Sequence, residues 1–451
     1  MKINQNQNIH IVGISGLECS SIAYHLIKKG YKNLTLHDLC KKEDLSKNLQ
    51  AQCKAYSKEE NLERFNTIIN SQVKLKFEKD YLDEIEKAEI IFAPQSWDMH
   101  ETNTVLKKHT DKIYNIIELY FEFFKGKIIG ITGSAGKSSV SNYIYQCLKQ
   151  ISTQKVILTG NDRSTKTALD EIHNSENSIL IIEISNRQLK YSKNIKPDIA
   201  LLTNIKSNHI SEHGNFENYK NCKLKITELQ TENDFFISKP DFKNIKTKAS
   251  KIIVGNKLDP SDFDKIPSFT LENYNFVYET LNLLNFSQEE IIKALQNVKN
   301  LKERFETILK NEKYHFINDR QSTSIDSSVK SLQDMVNKPV IVIFGGATKN
   351  ANLAPFYKLI QRPNFYPIGI KSPITDEAKS QMNLKIVENL TNAVKESIIK
   401  ANSIEGIVTI ILSPACEYGP YFKNKTNIKD FENFNQLVFD QINSNKTNND
   451  K

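Results

Sequence analysis

The chain has 451 residues, 39% of them hydrophobic, more than one ordinary core accommodates, which argues for two or three domains. Its 61 Lys and Arg against 53 Asp and Glu leave a formal charge of +8, a modest lysine-rich excess without a dense basic block interleaved with aromatics, so nucleic-acid binding is not expected. No apolar run approaches the roughly 20 residues that span a bilayer. The amino terminus enters a strand without a signal-peptide core, so a cytosolic chain with no membrane segment is the expectation. The six cysteines, Cys19, Cys40, Cys53, Cys147, Cys222 and Cys416, are scattered with no CxxC pair, which reads as reduced thiols rather than a disulfide framework or a zinc site.

The first segment, "IHIVGISGLECSSIAYHLIKKGYKNLTLHDL", predicts a βαβ unit. An apolar strand from Ile9 to Val12 meets a shortened glycine turn, Gly13-x-x-Gly16, then a helix through Ile22, Ala23 and Leu26, then a strand ending at Asp38. Such a turn serves packing as readily as a ligand. The acid at the end of the second strand suits a sugar or nucleotide hydroxyl. Another strand, Ile90 to Phe92, ends at Ala93-Pro94.

A second αβ block is expected from about Ile113, with "GITGSAGKSSV" after an apolar strand and before a helical stretch. Backbone N–H groups at a glycine turn joined to a helix N-terminus form an anion site. Gly133 and Gly136 would let the chain pass close to phosphate oxygens, Lys137 would supply a cation, and the Ser138 hydroxyl would reach Mg²⁺. The spacing is GxxGKS, shorter than the usual GxxxxGK[ST], and a lysine in an ordinary turn is the alternative. "SILIIEIS" and "DIALLTNI" are apolar runs suited to parallel strands covered on both faces. Glu183 closes the first of these, either capping a nearby helix or meeting a cation, because an unpaired acid there would be expensive to bury. "SQEEIIKALQNV" predicts a capped amphipathic helix from Ser287.

A third block from about Leu301 contains "YHFINDRQSTS", the strand "PVIVIFGGATKN" and "GIVTIILSPACEYGPYF", again alternating strand and helix, followed by a polar tail expected to fray after Asn443. The fold class expected is therefore α/β with three successive domains, 1–112, 113–300 and 301–451.

These stretches, in this order, resemble the Mur ligases, ATP-dependent amide-bond ligases of peptidoglycan synthesis, and most closely their D-glutamate-adding branch. The resemblance runs over nearly the whole chain. It implies a Rossmann-like amino-terminal domain for a UDP-sugar, a central P-loop ATPase-like domain and a Rossmann-like carboxy-terminal domain for the amino acid. By resemblance, residues 133–139 (Gly133, Ser134, Ala135, Gly136, Lys137, Ser138 and Ser139) grip ATP, with Asn275, Arg304 and Asp319 completing the nucleotide site. Ser138, Glu183, His209 and a carbamylated Lys223 would hold two Mg²⁺ ions, His209 and Lys223 standing fourteen residues apart as in the family. A carbamate requires a neutral amine, so that lysine's pKa must be lowered. Lys137, His209 and Lys223 would carry the catalysis.

Ile14, Ser15 and Asp38 would meet the uridine part, Asn161 the muramoyl part, and Thr323, Lys349 and Phe422 the amino acid. The implied substrates are UDP-N-acetylmuramoyl-L-alanine and D-glutamate, joined through an acyl phosphate by a monomer whose domains close over it, with Arg304 and Lys349 arriving from the third domain. The chain departs from the family at Asn208, at "APQ" in place of SPG, at Asp162-Arg163 after "GN", at Gln321 and at Tyr418. Those departures keep open a sibling ligase, such as a folylpolyglutamate-synthase-like protein using another amino acid or acceptor, and a degenerate non-catalytic nucleotide-binding protein.

Overall fold

A computed structural model describes residues 2–161, 165–172, 175–206, 210–263, 266–335, 337–347, 352–416 and 433–449. The chain divides into two compact units. The first holds residues 1–263 with 272–298, and the second holds 264–271 with 299–451.

The first unit contains two parallel sheets. Strands β1 (Ile9–Val12), β2 (Leu34–Asp38), β3 (Lys74–Phe77), β4 (Ile90–Phe92) and β5 (Ile113–Tyr114) lie in the order β3-β2-β1-β4-β5. β5 pairs with β4, so the first sheet runs two residues past the boundary expected at 112. The second sheet is built from β6 (Lys127–Thr132), β7 (Lys155–Gly160), β8 (Ser178–Glu183), β9 (Ile199–Leu202), β10 (Phe235–Ser238) and β11 (Ser250–Ile253), in the order β11-β10-β9-β6-β8-β7. β8 and β9 are buried along their whole length, as the continuous apolar runs require of strands covered on both faces. β6 and β9 are neighbours, and the connection from the carboxyl end of β6 runs past β8 to β7 while that from β9 runs the other way to β10. That is a topological switch point, where open α/β sheets bind ligands. One apolar cluster runs from Ile9 and Ile22 through Ile117 and Tyr120 to Leu180 and Phe236, giving both sheets a common core.

Polar contacts also join the two sheets' surroundings. Arg64, 3% exposed, pairs with Asp170 at 2.6 Å, stacks over Tyr56 at 3.8 Å and donates to Ser21. Asp98 accepts from Lys190 at 2.5 Å and from the Tyr191 hydroxyl at 2.7 Å, while Trp97 packs on the Tyr191 ring.

The second unit carries β12 (Glu306–Lys310), β13 (Tyr314–Asn318), β14 (Val340–Phe344), β15 (Phe365–Ile370), β16 (Lys385–Val387) and β17 (Val408–Leu412), ordered β12-β13-β17-β14-β15-β16. Its β12 edge is antiparallel to β13, because only Asn311, Glu312 and Lys313 connect them and a crossover helix cannot fit. Ser287 and Glu290 form the capping box predicted for the helix Gln288–Gln296. The last helix, Phe434–Asn449, continues past Asn443 instead of fraying there, anchored by the buried Phe434 and Val438. No described helix is long and apolar enough to cross a membrane.

Candidate active site

β6 runs into the glycine turn and then the helix Lys137–Ile151. Gly133 has φ +149° and Gly136 +84°, values that favour glycine, and a Cβ on Gly133 would collide with the Thr203 hydroxyl. The segment after β9 laces this turn in place. Thr203 Oγ1 donates to the Ala135 carbonyl at 2.6 Å, and Asn204 both donates to that carbonyl (2.9 Å) and accepts from the Ala135 N–H (3.0 Å). The Ser134 N–H donates to the Asn204 carbonyl at 2.9 Å, and the Ser134 hydroxyl bonds Tyr219 at 2.9 Å. Ser134 and Ala135, expected as phosphate donors, therefore spend their amides on Asn204. Anion attraction concentrates at the start of the following helix, Gly136 to Ser139, where the dipole favours negative charge.

Two lysines converge on one carbonyl. Lys137 Nζ donates to the Gly133 oxygen at 3.1 Å and Lys223 Nζ to the same oxygen at 2.8 Å. Lys223, on the helix Phe216–Leu224, is 1% exposed and lies 4.8 Å over the Tyr219 ring. Burial first, and the Lys137 charge second, lower its pKa to about 7, against an opposing pull from Cys222 and Glu183. The neutral amine that a carbamate needs is thus well populated near neutrality.

Glu183, the last residue of β8, is buried. Among the described residues its carboxylate receives no hydrogen bond or ion pair, and it caps nothing: the following helix, Asn186–Tyr191, is capped by Ser185 with Gln188. A buried acid in that condition calls for a cation. The Ser138 hydroxyl, the Glu183 carboxylate and a carbamate are all oxygen donors, the set that suits Mg²⁺. His209 and its neighbour Asn208 lie outside the described residues, among which no three His, Cys, Asp or Glu side chains form a metal cage.

At the first sheet, Asp38 accepts from the Ser15 N–H at 2.7 Å and the Cys40 N–H at 3.0 Å, and Gly13 has φ +80°. The acid thus stitches the glycine turn to β2, and Ser15 meets it through its backbone. Ile14 is fully buried in the core, so its side chain is a packing group and only its backbone can meet a ligand. Asn161 follows β7. Its N–H donates to the Glu183 carbonyl at 3.1 Å and its Oδ1 accepts from Gln95 Nε2 at 3.1 Å. Asp162 and Arg163 lie outside the described residues.

Asn275 is buried and its Oδ1 accepts from the Lys257 and Leu258 N–H groups at 2.9 and 3.4 Å, holding that loop. Its neighbour Asn273 instead approaches the phosphate turn, its Oδ1 3.1 Å from where a Gly136 Cβ would stand. Two residues along a helix face nearly opposite sides, so Asn275, the residue expected at the nucleotide, and Asn273 do not face the turn together. Sequence reasoning also missed Thr203, Asn204 and Tyr219. Thr203 and Asn204 signal themselves only by standing just past an apolar strand, and Tyr219 only by standing on the helix that carries Lys223.

In the second unit, Asp319 follows β13, buried, accepting from the Phe305 N–H at 3.1 Å and the Ser413 hydroxyl at 3.4 Å. Burial raises its carboxyl pKa to about 6. Arg304 stands between Glu303 (φ +62°) and Phe305 (φ +53°), two non-glycine residues in the left-handed region. Gln321 donates to Glu303 at 3.0 Å, Arg320 pairs with the same carboxylate, and Thr323 is exposed. Lys349, Tyr418 and Phe422 lie outside the described residues.

Residues 131–258 match the Mur ligase middle domain. The chain is 27% identical over 393 residues to a UDP-N-acetylmuramoylalanine–D-glutamate ligase of Fusobacterium nucleatum, covering 78% of this chain and 89% of that one. It is also 27% identical over 327 residues to the enzyme of the same name from Francisella tularensis subsp. novicida, covering 69% and 76%. Among solved structures, the MurF ligase of Thermotoga maritima in complex with ADP superposes with a TM-score of 0.60 at 13% identity, over 99% of this chain and 100% of that one. The UDP-N-acetylmuramate-alanine ligase MurC of the same organism gives 0.54 at 14% identity, over 98% and 100%. At such identities the likeness to the two structures is one of fold.

Proposed function

We propose that this chain, which belongs to the Mur ligase family through its middle domain, joins D-glutamate to UDP-N-acetylmuramoyl-L-alanine with consumption of ATP. The observation that carries this reading is the meeting of a glycine–lysine turn, a buried Lys223 with a pKa near 7 and a buried Glu183 whose carboxylate has no hydrogen bond among the described residues, at one switch point.

The reaction brings two anions together, the acceptor carboxylate and the ATP γ-phosphate. Lys137 and the start of its helix supply positive charge beside the triphosphate. Mg²⁺, held by Ser138, Glu183, His209 and the carbamate of Lys223, would neutralise the remaining repulsion when bound. The acceptor carboxylate attacks the γ-phosphorus, giving an acyl phosphate and ADP. The amine of D-glutamate then adds to the acyl carbon and phosphate leaves as the amide forms. Asn273, beside the turn, joins the nucleotide-binding set in place of Asn275. Asp319 and Arg304 remain assigned to the nucleotide and Thr323, Lys349 and Phe422 to the amino acid.

Phosphate release with ATP, UDP-N-acetylmuramoyl-L-alanine and a panel of amino acids tests this. Release with D-glutamate alone supports it. Release with another amino acid identifies a sibling ligase, the reading that Gln321 favours, and no release with any identifies a non-catalytic nucleotide-binding protein. Lys137→Ala is expected to abolish release, and an active variant would overturn the phosphate assignment.

A further inference from the structure

Gln95, in the "APQ" segment after β4, reaches from the first sheet to the second within the same unit. Both hydrogens and the oxygen of its side-chain amide, and its backbone N–H besides, are engaged in a chain whose direction is set at a backbone group. The Gln188 N–H donates to Ser185 Oγ at 3.1 Å, so the Ser185 proton points away and is donated to Gln95 Oε1 at 2.6 Å. With its oxygen accepting, Gln95 must donate through Nε2. It does so to Asn161 Oδ1 at 3.1 Å and to Glu18 Oε1 at 3.3 Å. Glu18, a pure acceptor, also takes the Gln95 N–H at 3.1 Å and Gln188 Nε2 at 3.2 Å, which confirms the same polarity from the other end. Asn161 is therefore held with its oxygen toward Gln95, which leaves its NH₂ as the donating end. Pairing of Gly160 with Glu183 places Asn161 beside that acid.

We propose that Gln95 is a positioning residue that determines acceptor recognition: through the Ser185–Gln95–Asn161 chain it presents the Asn161 NH₂ as a donor to an oxygen of the acceptor's acyl end. This inference rests on the ligase reading above and deepens it. A hydrogen-bond donor suits a carboxylate or amide oxygen and rejects an amine, so the class of ligand selected is an N-acylated amino acid offering oxygen acceptors. Recruitment of a first-sheet side chain for this purpose links occupation of the nucleotide-sugar end to the polarity of the reacting end.

The test uses Gln95→Glu, which keeps size and can accept from Ser185 but cannot donate to Asn161, and Gln95→Met, which removes the polar atoms. Full-length variants are assayed for phosphate release at varied acceptor, ATP and D-glutamate, with acceptor binding measured separately by calorimetry. The acceptor KM and its dissociation constant are expected to rise about tenfold or more in Gln95→Glu, the effect of one lost, reversed hydrogen bond, with the other two KM values held within about twofold. In an Asn161→Ala background, Gln95→Glu is expected to add nothing further. A purely structural role would lower the melting temperature and kcat without singling out the acceptor. Gln95→Met supplies the same comparison should Gln95→Glu fail to fold. Variants whose acceptor KM matches wild type, or whose effect adds fully to that of Asn161→Ala, overturn the inference alone. Wild-type protein that neither binds nor turns over the acceptor overturns the ligase reading, and this inference with it.

Discussion

Lys223 and the pair His10–His37 show how position in the fold, rather than residue type, assigns protonation. Lys223 is buried against a tyrosine ring and another ammonium, which brings its pKa to about 7 and leaves an amine able to combine with CO₂. Lys223→Ala is expected to reduce phosphate release by about a hundredfold, in line with loss of a metal-holding group, and short carboxylates added to the assay are expected to restore part of it. Undiminished activity without rescue would remove the carbamate role. His10 and His37 sit on adjacent strands with Nδ1 and Nε2 2.9 Å apart, both buried, their pKa values lowered by burial from 6.5 to about 4 and about 3. A base held neutral in the fold favours the native state above its unfolded pKa. Below 6.5 the unfolded chain takes up protons that the folded chain refuses, so stability falls as pH drops from there toward about 4. Urea midpoints between pH 7.5 and 5 are expected to show this decline, and His10→Gln to flatten it.

At the scale of the elements, one glycine lets two strands approach more closely than a side chain permits. Gly160 ends β7 at φ +133°, and a Cβ there would run into the backbone of Glu183 on β8. Gly160→Ala is expected to cost about 1–3 kcal/mol in urea unfolding, because backbone atoms cannot step aside as a rotamer can. Gly255→Ala, with open space around it, serves as the control and is expected to be near neutral. The contact lies beside the site, since Glu183 and Asn161 both border it. The strand ends were legible from the sequence because apolar runs and glycine turns are local signals, and β4 falls on Ile90–Phe92 as read. The antiparallel β12 edge was not legible, since pairing direction depends on connection length and on which neighbour is available.

For the molecule as a whole, the first two sheets unite in one compact unit, and Arg64 is one of its fasteners. Its guanidinium lies between Tyr56 and Asp170, 106 residues away from the latter in sequence. Arg64→Ala is expected to lower stability by about 1–2 kcal/mol, combining lost stacking with a lost ion pair that is buried on the arginine side only. Hydrogen exchange should then show the first sheet opening ahead of the second. Equal protection of both sheets in the variant would argue that the apolar core and the remaining polar contacts unite them without Arg64.

The sequence by itself determined the α/β class, the glycine–lysine turn between strand and helix, and the candidacy of Lys137, Glu183 and Lys223. The class, the turn, Lys137 and Glu183 follow from neighbours in the chain, where period and turn chemistry act, whereas Lys223 became a candidate through the resemblance to Mur ligases. Only the tertiary structure decided that Lys223 shares the Gly133 carbonyl with Lys137 across 90 residues, that Asn273 and not Asn275 approaches the turn, and that Gln95 orients Asn161. Protonation and hydrogen-bond polarity depend on desolvation and on partners brought from distant segments, and neither is written in any local window of residues.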